Sequence, residues 1–577
     1  MEPHSVSPRS AFRTFVRHPV AGLVAAGAVT CGLWRAIDAT WLCDDAFISF
    51  RYARNLVQGL GLVFNQGEWV EGYTNFLWTL WIAAGLAVGC SAELWAQLWG
   101  VVCYVGAILL LITNHARLRD RVGAGRFAIP LAAAGAALHG DWCVYATGGL
   151  ETSCFTFLLL TGYLIIVRAG ARPRLLLAGG AIFGLAALTR PDGLLPAVVA
   201  GGFVLWRSKP RVRNALLYAG GFFVLWLPFV VWRVGYYGDF FPNSYYAKSA
   251  HLTWYGQGWR YVSLYFYKYW ALLPALPLTV LVLARSRRST PAVSNGRPEP
   301  QATVMPEAAL AAAIAITYTL FVMRVGGDFM FARLLIPVAP FWLILLELGL
   351  MALPDRPAAW RVGLIVLVCS GLLLAPSPFD GRQPRYGIAD EPAVYTPEFV
   401  RQIDNKADVL RRYFDGLPIR VAFYGTDARL VYRSRVAYAV ECETGLTDRT
   451  LARRPLESRG RVGHEKPAPV PYLVEQCKVH FTFQFHEWNE VLPPIGITFD
   501  DVRGRMMRWD PDLLAELKRR GARFVDYPTL LDETIAQLDE LTDDQVRAEF
   551  TRAVRFYFDW VADPGREAAF RTRLERR

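Results

Sequence analysis

Long apolar runs separated by short polar loops fill the first 376 residues of this 577-residue chain. Many runs approach or exceed the roughly 18 residues that a helix needs to cross the hydrocarbon core of a bilayer. Arg9, Arg13 and Arg17 precede the first run, which places its start in the cytoplasm by the positive-inside rule. The pattern predicts an α-helical polytopic membrane protein with about 11 spans. The spans are expected near 19–38, 94–113, 127–140, 151–168, 175–189, 193–206, 215–233, 264–284, 307–323, 332–352 and 361–375.

One apolar run, 75–89, is not assigned as a span. If it crossed the membrane, the loop at 114–126 with its four arginines would lie outside, against the positive-inside rule. We therefore expect 75–89 to lie along the outer surface of the membrane. Residues 39–93 then form one outer loop that begins after the first span.

The remaining residues, 377–577, have the pattern of a soluble α/β domain that follows a cytoplasmic N-terminus (1–18) and a transmembrane module (19–376). "IRVAFYG" at 419–425 is typical of a buried strand, and "DPDLLAELKRRGARFVDY" of a helix, a glycine and a strand. The topology places this domain on the extracytoplasmic side of the membrane.

Composition supports a membrane protein: 53% of the residues are hydrophobic and only 19% are charged. The net charge of +12 does not indicate nucleic acid, because the basic residues lie beside apolar runs. The cysteines show no metal-binding spacing. Cys442 and Cys477 would pair in an oxidising compartment, or stay as two buried thiols.

Polar and charged residues of mixed type are concentrated in the predicted outer loops, whereas the span interiors are almost free of charge. A transporter places its polar groups near the bilayer midplane, so this distribution favours an enzyme that works at the outer leaflet. Two other functions stay open: a flippase or carrier for a lipid-linked sugar, and a non-catalytic protein of envelope assembly.

The acidic pair Asp44–Asp45 begins the first outer loop, in "CDDAFISFRYARNLVQGLGLVFNQGEWVEGYTNFLW". We expect a helix over 44–58 with Arg51 and Arg54 on one stripe. A carboxylate at the membrane edge can remove the proton of an acceptor hydroxyl, and arginine can hold a lipid phosphate. The alternative is that Asp44 only caps the helix while the arginines contact lipid headgroups.

The other outer motifs also have structural alternatives. "TRPDG" at 189–193 could be a re-entry turn in which Arg190 pairs with Asp192, and "GGD" at 326–328 a simple turn. His464 and Lys466 could belong to a solvated loop.

Taken in order, the motifs resemble those of GT-C glycosyltransferases, which use polyprenyl-phosphate sugars as donors. Within that class, the first-loop sequence resembles the mycobacterial terminal β-(1→2) arabinofuranosyltransferases of cell-wall arabinan. The likeness continues at "GGLET" (148–152), "TRPDG", "GGDFM" (326–330), "GLTDRTLAR" (445–453) and "RGRVGHEKPAP" (459–469). It covers most of the chain.

The resemblance implies an inverting transfer from a decaprenyl-phospho-arabinofuranose-type donor to a hydroxyl of an envelope polysaccharide or lipid-linked glycan. Asp44 would be the general base, and Asp45 would orient the acceptor or an arginine. No cofactor is required by the sequence, although Asp44 and Asp45 could hold a divalent cation. The candidates for binding the donor phosphate or other parts of the substrates are Arg51, Arg54, Glu71, Tyr73, Asn75, Glu151, Arg190, Asp192, Lys248, Asp328, Arg333, His464 and Lys466.

Overall fold

The computed structural model describes residues 19–122, 129–170, 172–288, 292–294, 297–299, 304–353, 358–424, 427–483 and 495–576. Over these residues the chain is mostly helical, and it packs into two units. The first unit takes 19–46, 74–240 and 250–395, and the second takes 47–73, 241–249 and 396–576. Two segments from predicted outer loops thus pack with the tail. The domain boundaries expected from the sequence stay a prediction.

Helices account for nearly all regular structure up to residue 395, and of these the helices at 46–57 (from Phe47 on) and 243–247 pack in the second unit. In chain order the helices are α1 Pro19–Asp38, α2 Ala46–Val57, α3 Phe76–Ala87, α4 Ala92–Val122, α5 Leu131–Leu138, α6 Gly140–Tyr145, α7 Thr152–Ala169, α8 Pro173–Thr189, α9 Leu194–Arg207, α10 Arg211–Tyr237, α11 Asn243–Ala247, α12 Tyr255–Lys268, α13 Ala275–Arg288, α14 Met305–Val325, α15 Ala339–Ala352, α16 Ala358–Leu373 and α17 Glu391–Val394. Short 3-10 turns lie at Pro191–Gly193, Trp270–Leu272 and Ile336–Val338.

Five of the described helices are long and apolar enough to cross a membrane: α1, α4, α7, α10 and α14. A sixth candidate is the pair formed by α12 and residues 270–284, which is bent by 85°. The protein is therefore a multi-pass membrane protein. Shorter apolar helices occupy several other expected spans, among them α8 and α16. The expected number of about 11 spans and their orientation stay predictions.

The expected span at 127–140 is interrupted in the structure. Helix α5 ends at Leu138, and His139 then caps α6 by accepting the backbone N–H of Trp142 on its imidazole at 3.2 Å. The chain leaves α6 at Tyr145 and enters "GGLET", whose Glu151 directly precedes α7. The interruption brings this motif to the beginning of a long helix.

Helix α3 is the element for which a surface position was expected. Its 12 residues rise about 18 Å, well short of the roughly 30 Å hydrocarbon core. It packs closely on α4, because a Cβ at Gly85 would lie 2.4 Å from the Trp95 side chain. Its length agrees with the surface position, which stays a prediction.

The second unit contains a six-stranded sheet, and a separate antiparallel ribbon pairs β1 Ala292–Ser294 with β2 Arg297–Glu299. The sheet strands are β3 Arg420–Phe423, β4 Tyr438–Glu441, β5 Phe481–Thr482, β6 Gly496–Phe499, β7 Val502–Met506 and β8 Arg523–Phe524. Their order in the sheet is β4-β3-β5-β7-β6-β8. Strand β3 runs parallel to β4 and β5, and the remaining neighbours are antiparallel. The helices are α18 Pro397–Phe414, α19 Ala428–Ser434, α20 Arg449–Ala452, α21 Pro511–Arg519, α22 Tyr527–Ala536, α23 Asp543–Ala553 and α24 Pro564–Glu575, with π-turns at Tyr472–Gln476 and Val554–Phe558.

Local sequence signals explain these elements. Asp510 caps α21 by accepting the N–H of Leu513, and Thr542 forms a capping box with Gln545 at the start of α23. Gly521 follows α21 with φ +101°, a conformation that favours glycine. The predicted α/β character of the tail is therefore confirmed, whereas its extracytoplasmic position stays a prediction.

Candidate active site

Separate motifs of the first unit meet at the buried carboxylate of Glu151, which directly precedes α7. Oxygen Oε1 of Glu151 accepts from Arg190 Nη1 at 3.2 Å and from Arg333 Nη2 at 3.4 Å. Oxygen Oε2 accepts from Asn75 Nδ2 at 2.9 Å. Arg333 is 182 residues away from Glu151 in the sequence. We call the joined side chains the Glu151 network: Asp45, Asn75, Glu151, Arg190, Asp192, Asp328 and Arg333.

The "TRPDG" motif supplies one side of the network. Arg190 donates to both carboxylate oxygens of Asp192, from Nε at 3.0 Å and from Nη2 at 2.9 Å. The pairing considered from the sequence is therefore present, and Arg190 also reaches Glu151. The phenol of Tyr318 on α14 donates to Asp192 Oδ2. The motif is thus more than a turn.

Arg333 of the "GGDFMFAR" segment supplies the other side. Its Nη1 lies 3.5 Å from Asp328 Oδ2, 3.9 Å from Asp45 Oδ2 and 3.6 Å from the sulfur of Met330. The preceding residue, Ala332, holds φ +61°, which is unusual for a residue with a side chain and aims the following arginine. The Asp45–Arg333 contact agrees with one role that the resemblance implied for Asp45, the orientation of an arginine.

The network joins four carboxylates, of Asp45, Glu151, Asp192 and Asp328, to two guanidinium groups. Burial alone would raise the pKa of Glu151, but the charges of Arg333 and Arg190 hold it below its ordinary value. Burial alone would lower the pKa of Arg333, but Glu151 and Asp328 raise it. Glu151 and Arg333 therefore stay ionised at neutral pH. Asp45 is the most exposed of these four acids, with 32% of its side chain accessible.

Asp44 is buried, with 2% of its surface exposed. The segment before it is fixed to the "GGLET" loop, because the Cys43 N–H donates to Gly148 O at 3.0 Å. Burial raises the pKa of the Tyr395 phenol, and Asp44 is the strongest charge that adds to this effect. Helix α2 begins at Ala46, two residues later than the expected start at Asp44. The base and capping roles of Asp44 both stay predictions.

Arg51 and Arg54 make their contacts within the second unit. Arg51 is buried and donates to Phe64 O at 2.8 Å and to Ala437 O at 3.2 Å. Arg54 donates to Tyr432 O at 2.7 Å and lies over the ring of that residue. Arg54 thus binds a carbonyl and an aromatic face of the tail, and Arg51 binds one carbonyl of the tail and one of its own segment. Their assignment to the donor phosphate stays a prediction, now beside an evident structural role.

The "GLTD" motif forms a tight loop after β4. Glu441 is buried and accepts the backbone N–H groups of Glu443 and Thr444 at 2.7 and 2.9 Å. Burial raises the pKa of this carboxyl. Asn243 donates to the carbonyl oxygens of Gly445 and Leu446 at 3.0 and 2.9 Å. The loop is therefore held from inside and by α11.

The "GHEK" motif is not the solvated loop considered from the sequence. Lys466 is buried and donates to Tyr246 O at 2.7 Å and to Ala452 O at 2.6 Å. Burial lowers the pKa of its ammonium group. His464 lies 4.0 Å from the Glu443 carboxylate. The alternative was wrong because the backbone carbonyls of α11 and α20 give the lysine internal partners. Lys248 is exposed, and its aliphatic chain lies near Gly463.

Glu71 and Tyr73 are buried in the second unit. The Glu71 carbonyl accepts the N–H of Asn243 at 2.9 Å, and the Tyr73 ring packs edge-on against Tyr52 at 4.8 Å. Their predicted role in substrate binding is untested. Cys442 and Cys477 are buried thiols without a disulfide. Within the described parts of the chain, no three His, Cys, Asp or Glu side chains are grouped to hold a metal ion, and we assign no metal ligand.

The sequence did not predict an ion pair between Lys268 and Asp141 in the first unit. Lys268, the last residue of α12, donates to Asp141 Oδ1 at 3.0 Å, and the Tyr269 phenol donates to Asp141 Oδ2 at 2.7 Å. On the same face of α12, Tyr261 donates to Met330 O at 3.0 Å. The available signals were a lone aspartate in an outer loop and a lysine at the end of an apolar helix.

The opposite face of α12 borders an apolar groove of about 970 Å³. Trp259, Phe266 and Trp270 line one side of the groove, and Leu320 and Trp342 belong to its other walls. Helix α12 therefore separates an apolar surface from the face that contacts the "GGDFM" segment. A long hydrocarbon chain matches the groove in polarity.

Two buried contacts between ionisable side chains also join helices of the first unit. Arg117 on α4 pairs with Glu307 on α14 at 2.6 Å, and His115 lies 3.3 Å from Glu347 on α15. Glu347 also accepts the Ala132 N–H at the start of α5. Of these residues only Glu347 lies well inside an expected span, because Arg117 and His115 belong to the predicted loop at 114–126 and Glu307 begins its span. The glutamates stabilise helix contacts and a helix end.

No family model matches the sequence. The chain is 32% identical over 412 residues to the terminal β-(1→2)-arabinofuranosyltransferase of Mycobacterium tuberculosis, covering 64% of this chain and 65% of that protein. It is 28% identical over 375 residues to the protein of the same name from Corynebacterium glutamicum, covering 59% and 52%. The chain thus spans between half and two thirds of these curated relatives. The resemblance noted in the motifs is confirmed.

Comparison of folds gives a consistent result. The structure of ArnT from Cupriavidus metallidurans bound to undecaprenyl phosphate superposes with a TM-score of 0.50 at 15% identity. The match covers 74% of this chain and 86% of ArnT. ArnT is a GT-C glycosyltransferase, and at this identity the likeness concerns the fold alone.

Proposed function

We propose that this protein is an integral membrane glycosyltransferase that transfers a sugar from a polyprenyl-phosphate donor to a hydroxyl of a cell-envelope glycan. The observation that carries the proposal is the Glu151 network, in which Arg333 lies 3.9 Å from Asp45, the second residue of the acidic pair in the first outer loop. The names of the two relatives favour arabinofuranose as the sugar. The active site and the second unit are proposed to face the extracytoplasmic side.

In the proposed reaction, the acceptor oxygen attacks the anomeric carbon of the donor. Asp44 accepts the proton of that hydroxyl, and the bond between the anomeric carbon and the phosphate oxygen breaks. A single displacement inverts the anomeric configuration. The products are the extended glycan and a polyprenyl phosphate, whose new charge Arg333 stabilises by hydrogen bonding.

The apolar groove beside α12 supports a lipid-linked donor. Its wall residues are apolar or aromatic, and several are exposed, including Trp259 at 64% and Leu320 at 51%. A polyprenyl chain would cover this surface, and the polar face of α12 contacts the segment that carries Arg333. The likeness to ArnT, solved with undecaprenyl phosphate, supports the same class of donor.

The test is incubation of the purified protein with a set of defined polyprenyl-phospho-sugars and an acceptor glycan. We expect one donor to be consumed, with release of polyprenyl phosphate and formation of an inverted linkage. Asp44→Asn should abolish transfer, whereas Asp38→Asn, a matched change at an exposed position of α1, should leave it intact. Full activity of the Asp44→Asn protein would remove the base assignment.

The two other functions, a carrier and an assembly protein, predict different results. A carrier moves the lipid-linked sugar across vesicles without cleaving the phosphate bond. An assembly protein consumes no donor, and alanine at Asp44 and Asp45 leaves the envelope composition unchanged. The buried Glu307 and Glu347 lend the carrier little support, because both contact partners within the helices.

A further inference from the structure

Tyr318 is a polar side chain in the middle of the apolar helix α14. Its residue surface is fully buried. A phenol in such surroundings needs a hydrogen-bond partner, because an unpaired hydroxyl is costly away from water. The partner is Asp192, whose Oδ2 accepts the phenol proton. The helix thus carries one directed contact from the apolar interior to the "TRPDG" motif.

Asp192 transmits this contact to Arg190. Its two oxygens accept from Nε and Nη2 of Arg190, a bidentate arrangement that fixes the plane of the guanidinium group. The Phe155 ring lies 5.4 Å from the same group. With its Nε and Nη2 donors bound to Asp192, Arg190 reaches Glu151 through Nη1 at 3.2 Å. The direction of Arg190 therefore follows from the position of Asp192.

Glu151 passes the constraint to Arg333. One oxygen is shared by Arg190 and Arg333, and the other is held by Asn75. The carboxylate cannot turn toward Arg333 without weakening another bond. Arg333 Nη1, in turn, lies between Asp45 and Asp328. The position of this guanidinium group depends on every earlier link.

We propose that Tyr318 is a positioning residue that sets the place of Arg333 through Asp192, Arg190 and Glu151. The inference rests on the proposed function, in which Arg333 meets the donor phosphate. Tyr318 itself touches no reacting atom. Removal of its hydroxyl lets Asp192 rotate, so that Arg190 and then Glu151 lose their fixed orientation.

The kinetic test compares Tyr318→Phe in the wild-type and Arg333→Lys backgrounds. We expect kcat/KM for the donor to fall about 10-fold in the wild-type background, because a small displacement of a phosphate-binding group is costly. In the Arg333→Lys background the same change should cost less than about 2-fold, because the residue on which it acts is already altered. Equal losses in both backgrounds would show that Tyr318 acts elsewhere.

Tyr163→Phe is the matched control. Tyr163 is also fully buried on a long helix, but its hydroxyl donates to the backbone carbonyl of Glu307 at 3.0 Å. It has no link to Arg333 among these contacts. We expect its donor kcat/KM to stay within about 2-fold of the wild type. A loss as large as that of Tyr318→Phe would contradict the positioning role.

A second measurement needs no substrate. Thermal unfolding of Tyr318→Phe, Glu151→Gln and the double variant in detergent measures whether the two residues are coupled. If Tyr318 acts through Glu151 as proposed, the losses in melting temperature are less than additive, and strictly additive losses would overturn the proposal. If the wild type consumes no donor, the proposed function fails, while this measurement still decides whether Tyr318 and Glu151 are coupled.

Discussion

Glu151→Gln removes the charge at the centre of the network while keeping the size of the side chain. The glutamine still has one carbonyl oxygen to accept a hydrogen bond. Its amide group, however, donates where the carboxylate accepted. Both oxygens of Glu151 accept hydrogen bonds, so the amide NH2 that replaces one of them must face a donor, either Asn75 or the two arginines. Arg190 keeps Asp192, and Arg333 keeps its longer contacts to Asp328 and Asp45.

The magnitude follows from the two charge-assisted bonds that weaken. These bonds are long, 3.2 Å for Arg190 and 3.4 Å for Arg333, so their energies lie at the lower end of the range for hydrogen bonds to charged groups. At about 1.5 kcal/mol each, we expect the free energy of unfolding to fall by roughly 3 kcal/mol. Displacement of Arg333 should also lower kcat/KM for the donor by about 100-fold.

The assay is chemical denaturation in detergent together with donor turnover, at neutral and acidic pH. Because the pKa of Glu151 is lower in the folded protein than in the unfolded chain, its charge stabilises the fold above pH ~4, and this contribution is lost as the pH falls through the folded pKa. The variant should therefore lose most stability at neutral pH and little in acid.

A matched control is Glu398→Gln, since Glu398 is 63% exposed and pairs on the surface with Arg401. Its stability should stay within about 0.5 kcal/mol of the wild type. Wild-type stability and turnover in Glu151→Gln at neutral pH would refute the reasoning, because the network would then carry neither effect.

Three further predictions concern other parts of the molecule. Gly445→Ala should destabilise the protein by at least about 2 kcal/mol in denaturation, because φ is +71° and the new Cβ would lie 2.6 Å from the Ala452 nitrogen; unchanged stability would mean that the "GLTD" loop can rearrange. Burial raises the pKa of Asp427 to about 7, so stability should decline from pH ~4 to ~7 by up to about 4 kcal/mol, and Asp427→Asn should remove that decline; an identical pH profile would contradict this account. In a cysteine-free background, a membrane-impermeant maleimide on intact cells should label Thr253→Cys but not Lys209→Cys, both exposed positions, and the reverse would invert the topology.

Much of the candidate site was visible in the sequence as separate motifs. Charge asymmetry and resemblance selected Asn75, Glu151, Arg190, Asp192 and Arg333 before their positions were known. Tyr318 was missed, because one tyrosine in an apolar helix looks the same whether it faces lipid or an aspartate. Its partner lies 126 residues away, and no local pattern indicates such a pairing.

The two arginines of α2 show the limit from the other direction. Helical spacing put Arg51 and Arg54 on one stripe of a helix expected over 44–58, and the structure has this helix over 46–57. Spacing contains no information about what a helix face meets. In the fold these cations bind carbonyls at Ala437 and Tyr432, more than 370 residues away.

The sequence by itself determined the apolar helices, the strand at 420–423 and the helix at 511–519. The spacing of hydrophobic residues that favours a helix or a strand extends over only a few positions, so it can be read locally. Tertiary structure decided which groups became partners, because a buried ion is costly unless the folded chain places an opposite charge or hydrogen-bonding groups beside it. It thereby joined Glu151 to Arg333 and enclosed Lys466. It also divided the first outer loop between the two units, with 47–73 in the second unit and its flanking residues in the first. The continuous sequence of that loop gave no reason to expect this division.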